Sequence, residues 1–158
     1  MRRFMLMLAA GAVSAVVLAS GATAEEEGPF ADAVEMRHGL MLQMATDLGK
    51  AGAMAKGEAP YDAAEAGKAA ANIAAIASVL SMDQFPEGSE YQKTTDSFAL
   101  PAIWANQDDF LQKVADLNTA AAEFQTAAAT DVDGLKAGME KIGGACAACH
   151  KAYRQPEE

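Results

Sequence analysis

The sequence predicts an all-α domain folded as an antiparallel four-helix bundle, and three observations carry that expectation. Alanine is abundant, and β-branched residues are few after residue 24. Apolar positions recur at three- and four-residue steps, the period of one helical face. Four such stretches fall within one short chain, so each has to bury its apolar stripe against the others.

The chain opens with Met1-Arg2-Arg3-Phe4, an apolar run from Met5 to Ala19, and small residues ending in Ala22-Thr23-Ala24. A basic start, an apolar core and an Ala-x-Ala site together read as a secretory signal peptide, residues 1–24. The apolar core is short for a membrane span, and Glu25-Glu26-Glu27 follows the expected cut. The remaining residues, 25–158, are expected to form a single domain in the periplasm, with no membrane contact after cleavage.

The first helix is expected from about Phe30 to Gly49. Ala33, Val34, Arg37, Leu40, Met41, Met44 and Leu48 trace one broad face of it, and Gly49, Gly52 and Gly57 read as breaks behind it. Pro60 suits the first turn of a second helix, where the missing N–H costs nothing. That helix runs to about Ser81, with a narrow face of Ala69, Ile73, Ile76, Ala77 and Leu80. From Met82 to Leu100 the periodicity disappears, and Pro86, Gly88, Ser89, Thr94, Thr95 and Ser97 mark a long crossover. A structureless segment of this length needs a reason; joining two helices that start at the same end of the bundle would be one. Trp104 is expected to anchor the core rather than line a cofactor pocket. Asn106 is a good N-cap for the third helix, whose Phe110, Val114, Leu117, Ala121, Phe124 and Ala128 form a heptad-like seam. Thr130 or Asp131 caps the fourth. Its Val132, Leu135, Met139, Ile142, Cys146 and Cys149 continue one face to an end near Arg154, and a solvated tail follows.

The chemistry is concentrated in Cys146-Ala147-Ala148-Cys149-His150. Cys-x-x-Cys-His is the spacing of covalent c-type haem attachment. Thiols three residues apart share a helix face and can add to the two vinyl groups along one porphyrin edge. His150, four residues from Cys146, shares that face, and a proximal histidine is one of the few protein ligands haem iron takes. Three other readings compete. A disulfide across two helical residues is poorly placed and leaves His150 unexplained. A thioredoxin-like pair expects a βαβ setting. A zinc site needs about four ligands, and the chain has two cysteines and two histidines, with His38 far away in sequence. One covalent haem c accounts for the motif, for its being the only place cysteine occurs, and for the export signal. His38 is expected at a solvent-facing or propionate edge, although it is a rival ligand on chemistry alone.

The first 24 residues carry two arginines and no acid, so their removal takes the net charge from −10 to −12. A surface this acidic argues against nucleic acid or anionic membrane as partners. It allows steering toward a basic redox partner protein, and plain solubility explains it equally well.

The motif's C-terminal position, followed by Tyr153-Arg154, resembles the class II cytochromes c, the cytochrome c′ and cytochrome c-556 group. Three further stretches resemble the same group: Ala55-Lys56-Gly57-Glu58-x-Pro60-Tyr61-Asp62-Ala63-Ala64, Pro101-x-Ile103-Trp104, and Arg37-x-x-x-Met41. The resemblance covers essentially all of residues 25–158 and implies a left-handed four-helix bundle with one haem c. In the c′ branch the iron is five-coordinate and high-spin and binds nitric oxide or carbon monoxide. In the c-556 branch a first-helix methionine binds the iron, and the protein carries electrons. Met41 falls at that distal position and is taken here as the sixth ligand, with His150 as the fifth. The resemblance places Arg37 beside a haem propionate and allows a homodimer through the first two helices. Peroxidase-type catalysis wants distal acid–base groups, and the matched position is a thioether; no enzyme activity is expected.

Overall fold

The computed structural model of the protein describes residues 28–156. The expected signal peptide and the two terminal glutamates lie outside the described residues. The elements are α1 (Ala31–Lys56), α2 (Ala63–Val79), the single-turn α3 (Ala102–Ala105), α4 (Gln107–Ala127) and α5 (Val132–Tyr153), with a 3-10 turn at Met82–Gln84. Helices α1, α2, α4 and α5 form the bundle. Among the described residues no strand forms, and a lone antiparallel bridge pairs Ala99 with Arg154.

α1 continues well past the expected stop at Gly49. Gly49 and Gly52, which join Gly39 inside the helix, cost it about 1 kcal/mol each relative to alanine. Ala51 and Met54 extend the buried stripe of Val34 and Met44 past Gly49 and are themselves buried, which more than offsets that cost. The helix ends at Gly57, whose φ of 77° lets its N–H reach back to the carbonyls of Ala53 and Met54. α2 starts later than Pro60 suggests: Asp62 is the N-cap, its carboxylate accepting from the N–H groups of Ala64 (2.8 Å) and Glu65 (3.0 Å). Asn106 precedes α4 but does not cap it with its side chain. α3 ends there, and the Asn106 amide donates back to the Ala102 carbonyl at 3.3 Å instead. At α5 the cap is Asp131, accepting from Gly134 N–H at 2.7 Å.

The crossover does not join helices that start at the same end. Tyr61, before α2, donates to the carbonyl of Ala128, just after α4, at 3.0 Å. At the other end of the bundle, Tyr153 of α5 donates to Asp109 of α4 at 2.6 Å. The order is therefore up, down, up, down, and α2 and α4 could have been linked by a short turn. The crossover's length serves a different purpose: it folds over one end of the bundle and supplies walls to the cavity described below. Trp104 is half-buried outside that cavity, and its indole N–H donates to the Phe85 carbonyl at 3.0 Å. The indole is thus an anchor for the crossover, as expected of a core residue.

Candidate haem site

Near the crossover end, α1, α4, α5 and the crossover enclose a cavity of about 620 Å³, within the range of cofactor-sized sites. α5 contributes Cys146, Cys149, His150 and Tyr153 to its wall. α1 contributes Arg37, His38, Met41, Met44 and Leu48, and α4 contributes Phe110, Val114 and Leu117. Leu80, Phe85, Phe98 and Ala99 close it from the crossover side. The five residues singled out from sequence, Cys146, Cys149, His150, Met41 and Arg37, thus line one cavity although they lie on two helices far apart in the chain.

The lining surface is mostly apolar, which suits a macrocycle. Both thiols are free and half-buried. Burial pushes the Cys146 thiol up, and burial together with the neighbouring Cys146 raises Cys149 to about 11. Reactive dithiols have depressed values, and burial shifts this pair the other way. His150 is lowered, first by burial and then by the charge of Arg154. A neutral imidazole is the form that ligates a metal.

Arg37 is 4% exposed, so it is not a surface arginine of α1. One terminal nitrogen donates to the Gln84 carbonyl (3.2 Å) and to Ser89 Oγ (2.8 Å). The other donates to the Ser89 carbonyl (2.7 Å) and to Ser97 Oγ (2.7 Å). The guanidinium also lies 5.3 Å from the centroid of the Phe85 ring. Four of its five N–H donors are thus engaged by the crossover, leaving Nε–H toward other groups. His38 also lines the cavity, its ring centroid 6.1 Å from that of Phe98.

Sequence reasoning missed the roles of Phe85 and Phe98, because an aperiodic segment shows no face on which to place them. It also missed that Tyr153 closes the cavity floor. The Tyr153 hydroxyl donates to Asp109 Oδ2 at 2.6 Å, and Lys113 stands 3.2 Å from the other carboxylate oxygen. Those two partners hold Asp109 below its ordinary value, Tyr153 first. The same bond, with some desolvation, pushes Tyr153 up to about 12. Because the folded-state value of Asp109 is depressed, its contribution to stability is present above the unfolded carboxylate range and lost as pH falls through the folded value. Tyr153 acts in the opposite sense: its contribution is full below about 10 and lost toward about 12. Thermal midpoints of wild type and Tyr153→Phe, measured from pH 3 to 11, check this. The wild-type advantage is expected to shrink at both ends, and a constant difference would show that the bond is not linked to protonation.

The Cytochrome C′ family profile matches residues 32–154. The chain belongs to the cytochrome c′ family. It is 49% identical to cytochrome c-554 of Cereibacter sphaeroides over 89% of this chain and 92% of that one. Cytochrome c-556 of Agrobacterium tumefaciens is 43% identical over 77% and 95% of the two chains. A solved cytochrome c′ from Rhodobacter spheriodes superposes with a TM-score of 0.77 at 32% identity, covering 81% of this chain and 98% of that one. As a member of this family the protein carries one covalently bound haem c. The fit is physical as well: two neutral thiols, a neutral imidazole and a mostly apolar slot meet at a single cavity. No helix among the described residues is long and apolar enough to cross a membrane.

Proposed function

We propose that the protein is a periplasmic electron carrier whose haem iron is held by His150 and Met41 in a low-spin state. The observation that carries the reading is the placement of Met41: it lines the same cavity as His150, from α1, the helix facing α5. A thioether is long and flexible enough to reach across a narrow gap. Haem supplies a one-electron couple, which thioether ligation shifts toward the ferrous side. The chain's own residues do the rest. Cys146 and Cys149 would tether the macrocycle, and the aromatic and aliphatic walls would supply its apolar surroundings. The two axial side chains, set on packed helices, would limit rearrangement between oxidation states. The higher identity to relatives named c-554 and c-556 than to the solved cytochrome c′ points the same way. We read the protein as a carrier rather than a catalyst, because a Met41 thioether on the iron would leave no open position for peroxide.

The test is the ferric spectrum near neutral pH with Met41→Ala beside it. Wild type is expected to show the weak far-red band of thioether–ferric ligation. The variant is expected to lose it, turn high-spin and fall in potential by on the order of 0.1 V, a fraction of the roughly 0.8 V that axial ligands command. A second reading is favoured by the structural likeness to a cytochrome c′: five-coordinate haem with Met41 as a lid. A wild type already high-spin and quick to take carbon monoxide when reduced would establish it.

A further inference from the structure

We infer that the crossover is a calliper that sets the gap between α1 and α5, and with it the separation of Met41 from His150; the inference rests on those two residues facing one haem. One jaw is Arg37. It is buried, and no carboxylate among the described residues pairs with it; four hydrogen bonds to Gln84, Ser89 and Ser97 hold it in place. A buried charge held only by dipoles tolerates little displacement, since each lost acceptor leaves a desolvated donor. The hub is Ser97. Its hydroxyl accepts from Arg37, donates to the Ser89 carbonyl at 2.6 Å, and accepts from Ala99 N–H at 3.3 Å. The other jaw is the bridge of Ala99 to Arg154. There Leu100 N–H donates to the Tyr153 carbonyl at 2.9 Å, and Gln155 N–H donates to the Phe98 carbonyl at 2.8 Å.

The placement gives the chain its leverage. Arg37 lies four residues before Met41 on α1, and Arg154 lies four residues after His150 at the end of α5. The two helices run in opposite directions, so both jaws sit about one helical turn, roughly 5 to 6 Å, from an axial residue, on the same side of the cavity. An unbroken hydrogen-bonded path therefore runs from the distal helix to the proximal helix without passing through the haem. In this arrangement Arg37 is a positioning residue that acts through the serines, and its effect does not reduce to its charge.

The experiment measures carbon monoxide association with the ferrous holoprotein. The rate reports the distal gap whether Met41 is a ligand to be displaced or a lid to be pushed aside. Ser97→Ala and the Ser89→Ala/Ser97→Ala pair keep the arginine charge, and Arg37→Lys keeps a charge but not the four-way geometry. Each is expected to bind carbon monoxide about tenfold faster than wild type, the scale of one lost buried hydrogen bond. Ser89→Ala, which spares the Ser97 hydroxyl and its bonds to the Ser89 carbonyl and the Ala99 N–H, should be intermediate and is the milder variant if the others hold haem poorly. Ser97→Thr restores the hydroxyl and should return the slow rate. Rates within about twofold of wild type for Ser97→Ala and Arg37→Lys, with only Arg37→Gln altered, would overturn the calliper in favour of a purely electrostatic arginine. Failure of the Met41 ligand assignment would show independently, in the Met41→Ala spectrum.

Discussion

Replacing both Cys146 and Cys149 with alanine is expected to give a protein that loses its haem to acid acetone and no longer unfolds cooperatively. The first part follows from the bonds themselves: without sulfur there is no thioether, and only axial coordination retains the group. The second follows from the size of the site. Where haem held by coordination alone dissociates, the walls of a cavity of about 620 Å³ lose their packing partners, and emptying the space of even one large core side chain costs about 2–5 kcal/mol. The whole stability of a domain of this size is about 5–15 kcal/mol. The bundle is then expected to collapse toward a state with much of its helix, exposed apolar surface and loose packing. Intact mass, far-ultraviolet circular dichroism through a thermal ramp, and dye binding read the three consequences separately. His150→Ala is the informative companion, because it should keep the haem mass while losing the proximal bond. A double variant that retained the haem mass, or that melted sharply at the wild-type temperature, would contradict the account.

Gly138→Ala is expected to lower the thermal midpoint by roughly 10 °C. Gly138 is buried on α5 where α4 crosses it. An added Cβ there would overlap the Phe124 ring and stand 3.3 Å from the Phe124 Cα. Phe124 is wholly buried and cannot swing aside. Overpacking of this kind costs about 1–3 kcal/mol, and contact with backbone as well as ring puts the effect near 3 kcal/mol, or roughly 3–4 °C per kcal/mol in a domain of this length. Gly39→Ala is the control. Nothing lies within 4 Å of its Cβ position on α1, so alanine there should stabilise by roughly 0.5–1 kcal/mol through helix propensity alone. Equal effects of the two substitutions would mean that the α4–α5 approach is not limited by Phe124.

Chemistry that depends on local spacing is legible in the sequence. Cys146, Cys149 and His150 are separated by less than one and a half helical turns, so any helix through them presents all three together. The seam from Phe110 to Ala128 is equally plain and the cap of α5 narrows to Thr130 or Asp131, because each is a relation between residues a few positions apart; the structure selects Asp131. The end of α1 was not legible, because two glycines look like a stop until the stripe beyond them finds a partner in another helix. Asn106 does stand at the N-cap position of α4, but the preceding turn of helix competes for its side chain, so the capping bond is not made.

By itself, then, the sequence determined the helical class, the four amphipathic stripes and the haem-binding helix, all of which follow from periodicities of a few residues. Only the tertiary structure decided what the crossover is for, that Arg37 is buried among its hydroxyls and carbonyls, and that Met41 lines the cavity with His150. These are contacts between segments dozens of residues apart. They are chosen by which faces can be buried together and which desolvated donors can be satisfied, and neither condition leaves a mark on the local pattern of residues.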